Sequence, residues 1–408
     1  STPMPGIILR TTTPTGEAPV EVAAQGGAQE SPPPTVIPSL TPNGSAMPLP
    51  TPRTDMTDVY VVRPGDTLSA ISLALDIPLD ELMQLNGLQS ESDIIHVGQP
   101  LKIHLDVSRT APQFALLPDS EVVLSPSYLG FDVETFLKQH NGYVSKFTAP
   151  VDGVHVNSAE IINRVARQFS VGPRVLLAIL EHYGGWVTQA QPQTYLPLGP
   201  ENPYYEESFL LQMSWAANRV NQGYYGYKRA GNHIVRFADG SRAMVPAGLN
   251  SGTAGILNFL GINSSWDTWQ GEADAFMATY RRLFGDPATH QVEPLVHSNL
   301  QQPDLGLPWE QGEVFYYTGG PHAAYGTYSG WAAVDFSPPD IVGSCYYSSK
   351  NVTAAADGRL VLGETGEMYL DLDSDGNLQT GWVLLYLHVV VRDDVVDGMQ
   401  VLAGTPLG

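Results

Sequence analysis

Tyr60-Val61-Val62-Arg63-Pro64-Gly65-Asp66-Thr67-Leu68 is the stretch from which the organisation of this 408-residue chain is read. A short alternating strand runs into the turn Arg63-Pro64-Gly65-Asp66, and Thr67 stands where an N-cap opens a helix. Leu68, Ile71 and Ala74 then recur at helical spacing. Pro78 opens a second helix with Leu79, Leu82 and Leu85 on one side, and Asn86-Gly87 closes it. Val97-Gly98-Gln99-Pro100-Leu101-Lys102-Ile103 returns as a strand. The spacing predicts a β-α-α-β unit over residues 58–105.

On its N-terminal side, residues 1–57 are rich in Pro, Thr, Ser and Gly, including Pro32-Pro33-Pro34. Such a tract buries too little apolar surface to offset its ordering entropy, so an extended tether is expected. Length alone implies more than one domain. The apolar fraction of 43% suffices for packed cores, and the net charge of −22 argues against nucleic acid or an anionic membrane as partner. No apolar run approaches the roughly 18 residues of a spanning helix, so no transmembrane segment is expected. No basic-then-apolar segment opens the chain at Ser1, and any export signal is expected to have been removed. The single Cys345 excludes an internal disulfide framework.

On its C-terminal side, residues 120–287 read as mainly helical. Ser158 is placed to cap a helix carrying Ile161, Ile162, Val165, Ala166 and Phe169, and Gly172-Pro173 breaks and restarts it. Further helices are expected near 205–221, 251–260 and 271–284. Residues 288–309 read as a linker, and residues 310–408 switch to period-two patterns and turn signals. The predicted class is multidomain α+β.

Three blocks in the last segment carry candidate chemistry. Thr318-Gly319-Gly320-Pro321-His322 puts a histidine in a glycine-rich turn, where the backbone can crowd an ion. Trp331-Ala332-Ala333-Val334-Asp335-Phe336 puts a carboxylate in an apolar run, which is costly unless a metal or cation pairs with it. Trp382-Val383-Leu384-Leu385-Tyr386-Leu387-His388 reads as a strand with Trp382, Leu384, Tyr386 and His388 on one face. A catalytic zinc takes about three nitrogen or carboxylate ligands and leaves one position for water. His322 and Asp335 are candidates for two of them. Asp371-Leu372-Asp373-Ser374-Asp375-Gly376 resembles the start of a calcium loop, but its twelfth position is Trp382 rather than a bidentate Glu. The expectation there is a hairpin turn leading into the next strand.

The β-α-α-β unit resembles a LysM domain, with Gly65-Asp66-Thr67-Leu68, Asn86 and Val97-Gly98-Gln99 in the family's places. That resemblance implies binding of peptidoglycan or another N-acetylglucosamine-containing glycan through two loops, Gly65-Asp66-Thr67 and Asp93-Ile94-Ile95. The stretch from Ile161 to Trp186 resembles the start of lysozyme-like transglycosylase domains. There Glu181, followed by His182-Tyr183-Gly184-Gly185-Trp186, would be the catalytic carboxylate. It would protonate a glycosidic oxygen from an apolar setting. Glu206, Glu207 and Asp239 are candidates for a second carboxylate. The alternative is a helix-end glutamate that caps or pairs with Arg174 or Arg164.

The C-terminal segment resembles the M23 (lysostaphin-type) zinc endopeptidases. The resemblance implies a Zn2+ cofactor, His322 and Asp335 as metal ligands, and His388 as the strand histidine that assists the attacking water. Twelve residues separate His322 from Asp335, where the common spacing has three. The run from Val395 to Gly408 matches the hairpin that precedes the family's His-x-His pair. The expectation is therefore a continuation past Gly408, an unpaired strand edge at Val401–Gly408, and a further cysteine to partner Cys345. Together these readings describe an extracellular or cell-envelope peptidoglycan-remodelling hydrolase. The alternative is a non-catalytic wall-binding scaffold, hydrolase activator or appendage component with degenerate enzyme domains.

Overall fold

A computed structural model describes residues 56–408, apart from 63–65, 76, 91–92, 106–108, 111–113, 193, 200–206, 231–232, 246–247, 297–298, 331, 342–346 and 364–365. Most of the tether, Gly65, Glu206, Trp331 and Cys345 lie outside the described residues. The chain divides into two compact units. One holds Val36–Leu295 together with Gly320–Ala333; the other holds Val296–Gly319 and Val334–Gly408.

The first unit begins with β1 (Met56–Val61), α1 (Leu68–Leu75), α2 (Leu79–Asn86) and β2 (Pro100–Leu105). β1 and β2 pair antiparallel, with Tyr60 opposite Leu101. The Thr67 Oγ1 accepts the Ala70 N–H at 3.2 Å and caps α1. Gly87 at φ 66 ends α2. Asn86 donates to the Lys102 carbonyl at 2.8 Å and accepts its N–H at 2.7 Å, tying α2 to β2. Tyr60, Leu68, Ile71, Leu75, Leu82 and Leu101 fill a small core.

The chain continues through β3 (Arg109–Thr110), α3 (Asp119–Val122), α4 (Val133–His140), β4 (Thr148–Val151) and β5 (Val154–Asn157). Then come α5 (Ser158–Phe169), α6 (Pro173–Gly184), α7 (Phe209–Ala230), β6 (His233–Arg236), β7 (Arg242–Val245), α8 (Ser251–Ile262) and α9 (Trp266–Phe284). The apolar face of α5 is buried as its spacing requires. Its cap is Asn157, whose side chain accepts the Glu160 N–H at 2.9 Å, rather than Ser158. Ser158 instead donates its hydroxyl to the Val144 carbonyl at 2.6 Å. Gly223 and Gly255 let α7 and α8 approach; a Cβ on Gly255 would come within 2.9 Å of the Val220 carbonyl oxygen. The β6–β7 hairpin sends Ile234 into the small N-terminal core, with Met244 packed beside it. The β-α-α-β module is therefore docked on the helical region.

A buried ion pair lies at the centre of the helical region. Arg174 on α6 donates to both Glu121 oxygens on α3, at 2.9 and 2.5 Å, and to the Ser127 carbonyl at 3.0 Å. The Tyr280 hydroxyl on α9 donates to Glu121 Oε2, and the Tyr128 hydroxyl donates to the Glu121 backbone carbonyl. The guanidinium lies 4.1 Å from the Tyr128 ring centroid. A Cβ on Gly172 would collide with the Tyr128 hydroxyl. Burial, with Glu121 adjoining, pushes the Tyr128 phenol well above its ordinary value. Removing one partner from such a pair strands a charge in the core and costs about 3–5 kcal/mol.

The second unit contains β10 (Gly358–Leu362), β11 (Glu367–Asp371), β12 (Val383–Leu387) and β13 (Gln400–Val401), while β8 (Tyr316–His322) and β9 (Ala333–Ser337) lie at the division. β8 and β9 form a two-stranded ribbon, and the remaining strands form an antiparallel sheet in the order β12-β11-β10-β13. Leu360, Met368, Leu370 and Leu407 are fully buried in its core, each contributing about 1.5–3 kcal/mol. β13, at the end of that order, is an edge strand paired, among the described strands, with β10 alone, but the residues that follow it are not left unpaired. Leu407 N–H donates to the Val352 carbonyl at 2.7 Å, Val352 N–H to Gly408 at 2.7 Å, and Arg392 N–H to Leu407 at 3.0 Å. No described helix is long and apolar enough to cross a membrane.

Candidate functional sites

Turn chemistry shapes the two loops of the N-terminal module. Asp66 is fixed by the Tyr60 hydroxyl, which donates to its Oδ2 at 2.8 Å, while Thr67 is exposed at the start of α1. Asp93 Oδ2 accepts the Gln89 N–H at 2.7 Å and folds the second loop. Beside it Ile94 is 79% exposed, an apolar side chain with no core of its own. Asp66, Thr67, Asp93, Ile94 and Ile95 thus occupy two surface loops; Gly65 is outside the described residues.

Glu181 closes α6 in a different environment. Its side chain is 1% exposed. One oxygen accepts the N–H groups of Val187 and Thr188, both at 3.0 Å. The other accepts the Thr188 hydroxyl at 2.6 Å and Arg282 Nη2 at 2.9 Å. The partner is thus Arg282 of α9, not Arg174 or Arg164. Arg174 is committed to Glu121, and Arg164 lies 3.2 Å from Asp152. A nearby concavity is lined by Gly142, Tyr143, Lys146, Phe147, Thr148 and Ala190, without Glu181. A general acid must reach the atom it protonates within hydrogen-bond distance. Here the carboxylate is enclosed by donors, and it ties the α6–α7 connection to α9. Of the proposed second carboxylates, Asp239 accepts the Ser241 N–H at 2.9 Å in an exposed turn. Glu207 is likewise exposed, and Glu206 is not described.

His322 ends β8, and its Nδ1 lies 2.8 Å from the Ala323 carbonyl. Donation from that nitrogen leaves the lone pair on Nε2, the arrangement metal-binding histidines adopt. The residues that follow are clasped by α7. Asn218 Oδ1 accepts the N–H groups of Thr327 at 3.1 Å and Tyr328 at 3.2 Å, and its Nδ2 donates to Thr327 Oγ1 at 3.2 Å. Tyr325 lies beside Phe169 of α5, the rings tilted and their centroids 6.4 Å apart. Nothing in the sequence marks a lone asparagine on a helix as a clasp.

Asp335 on β9 corrects an expectation, because it is exposed rather than buried in its apolar run. The two-stranded ribbon has no covered interior. Its aromatics pack sideways instead, with Phe336 5.0 Å from Trp309, which stacks on Phe315 at 4.6 Å. The carboxylate sits over Gly319, where a Cβ would come within 2.8 Å of Oδ2. The glycine at position 319 therefore makes room for Asp335.

His388 lies just past β12 at φ 59, exposed. The left-handed turn breaks the expected alternation, and Val389, not His388, keeps company with Tyr386 in the core. Imidazole nitrogen and carboxylate oxygen are suitable zinc donors, so His322 and Asp335 fit that metal in kind. Among the described residues, the one group of three metal-ligating side chains is Asp371, Asp373 and Asp375, which includes none of them.

Comparison with known proteins divides the chain similarly. The family described as LysM domain matches residues 60–104, and the family described as LasA, N-terminal domain matches residues 115–297. The helical region expected to be lysozyme-like falls inside the second match. Protease LasA from two Pseudomonas aeruginosa strains, PAO1 and UCBPP-PA14, is in each case 26% identical over 270 residues. The alignment covers 62% of this chain and 60% of the relative, so the chain spans about 60% of the length of the curated relatives it matches. No solved structure matches. The chain is similar to a LysM domain followed by the N-terminal domain of a protease.

Proposed function

We propose that this protein is a peptidoglycan-binding, cell-wall-directed zinc endopeptidase that acts in the extracellular space or cell envelope. The observation that carries the reading is the order of the matches: a LysM module directly before a LasA N-terminal domain, in a chain similar to Protease LasA. In this reading the loops at Asp66–Thr67 and Asp93–Ile95 hold an N-acetylglucosamine-containing glycan. Weak single-site affinity suffices, because anchoring raises the local concentration of substrate. His322 and Asp335 are proposed as metal ligands and His388 as the group that hydrogen-bonds the attacking water. Bound there, zinc would polarise the scissile carbonyl and acidify water. The Ala323 carbonyl sets the His322 tautomer, and the missing side chain at Gly319 makes room for the Asp335 carboxylate. Glu181 is proposed as a structural tie, since its four donors support packing and not proton transfer.

The second reading is a wall-binding scaffold without catalysis. It is favoured by the lack, among the described residues, of a three-membered donor group that includes His322 and Asp335. Zinc content separates the two. The protein as its gene encodes it is expected to retain about one zinc per chain after gel filtration, as a stable three-ligand site requires. His322→Ala and Asp335→Ala should each release it. Retention of zinc by both variants, or its absence from the unaltered protein, would favour the scaffold.

A further inference from the structure

The connection between β11 and β12 gathers carboxylates that the protease reading does not use. Asp371, Asp373 and Asp375 each offer an oxygen, and these oxygens lie within 4.8 Å of one another. The connection is a hairpin, with the Leu372 N–H donating to the Trp382 carbonyl at 3.0 Å, and it also converges its acidic side chains.

Asp371 is wholly buried at the end of β11. Its Oδ2 accepts the Gly376 N–H at 2.8 Å, but its Oδ1 is enclosed with no hydrogen-bond partner. A buried carboxylate oxygen without a donor is costly, and cations are the usual remedy. Asp373 offers an oxygen to the same point, within 4.8 Å of that carboxylate. Two carboxylates in contact need a proton or a cation between them. Asp375 is held ready: one oxygen accepts the Asn377 N–H at 2.7 Å and the other the Thr380 hydroxyl at 2.8 Å. Gly381, at φ 62, lies against Asp373, where any Cβ would collide with the carboxylate.

We propose that Asp371, Asp373 and Asp375 form a calcium site that fastens the β11–β12 hairpin. The donors are all hard oxygens, and the i, i+2, i+4 spacing before Gly376 wraps them around one point. Trp382 stands where a bidentate Glu would complete a high-affinity loop, so the dissociation constant is expected at about 10⁻⁴–10⁻³ M, the range of extracellular modules. Backbone carbonyls and water would supply the remaining ligands. Nothing in this inference depends on the protease reading or on zinc.

The test is calcium titration of the whole chain, after chelator treatment, by calorimetry and thermal unfolding. Saturating calcium, roughly 10 mM, is expected to raise the melting temperature by about 2–8 °C. Magnesium at the same concentration should do much less, because it demands tighter octahedral geometry. Asp373→Asn and Asp375→Asn, both exposed positions, should fold normally, bind at least tenfold more weakly and lose the rise. No binding heat and no thermal shift would overturn the site. So would a calcium-induced rise that both variants retain. Stabilisation by Asp373→Asn in a protein indifferent to calcium would likewise overturn it, in favour of a shared proton.

Discussion

Glu181 in the helical region and Asp371 in the β region are both buried carboxylates at the end of a regular element, and their surroundings are opposite. Glu181 has four donors on its two oxygens; Asp371 has one donor and an oxygen left over. The same contrast runs through the two regions. The helical region satisfies its acidic side chains internally, as at the buried Glu121 with Arg174 and at the half-buried Glu272, 2.8 Å from His182. In the β region, Asp335, His388, Asp373 and Asp375 lie at or near the surface, where ligands can reach them. A carboxylate whose oxygens are all taken by donors builds structure, whereas one with an oxygen left over or facing solvent can bind. In the proposed reading, the helices are scaffold and the strands carry the ligand chemistry.

The largest effect expected from breaking this contrast is on the buried pair. Glu121→Leu should cost about 3–5 kcal/mol, read from denaturant midpoints, because it leaves Arg174 unpaired in the core. The double variant Glu121→Leu/Arg174→Met should recover much of that loss; equal losses would mean that the pair is not the source. Glu181→Gln should cost less, about 1–3 kcal/mol, since it weakens charge-assisted bonds without stranding a buried ion. A loss of stability there would place Glu181 with the scaffold, and an unchanged midpoint would break the comparison.

A smaller effect is a matter of pH. The hydrogen bond to His182 holds the Glu272 carboxyl below its ordinary range. A depressed carboxylate contributes stability that is present above its unfolded-state value, about 4.3, and is lost as pH falls through the lower folded value. Glu272→Gln should therefore flatten the acid limb of the stability curve, measured as midpoint against pH, and an unchanged limb would discount the pairing. Smallest of all in stability is Ile94→Ser, expected within about 0.5 kcal/mol at an exposed site. Retention on insoluble peptidoglycan should nevertheless drop, and equal retention would remove Ile94 from the glycan surface.

Local signals made much of the fold legible. Thr67, Pro78 and Asn86-Gly87 bound the first two helices because caps and left-handed turns have few chemical solutions. Gly172-Pro173 separates α5 from α6 for the same reason. What could not be read were contacts between distant segments. The sequence places Glu181 near aromatic residues, but the Arg282 that binds it comes from α9, far along the chain. Asp335 in its apolar run invited a buried strand, and only the isolation of the β8–β9 ribbon explains its exposure. Alternation puts His388 on a strand face, and a single left-handed residue interrupts that alternation. The acidic run reads as a hairpin turn rather than a calcium loop; the hairpin is there, and the convergence of its three carboxylates is what spacing alone does not show.

Cleavage of peptidoglycan cross-links, measured side by side for Asp335→Asn and Glu181→Gln in the protein as its gene encodes it, tests the central claim most directly. Losing a proposed metal ligand should abolish cleavage, a fall of at least about 100-fold. Glu181→Gln should stay within about threefold of the unaltered protein at temperatures where it is folded, since a structural tie leaves the chemistry untouched. Full cleavage by Asp335→Asn together with an inactive but folded Glu181→Gln would contradict the account and move the chemistry into the helices.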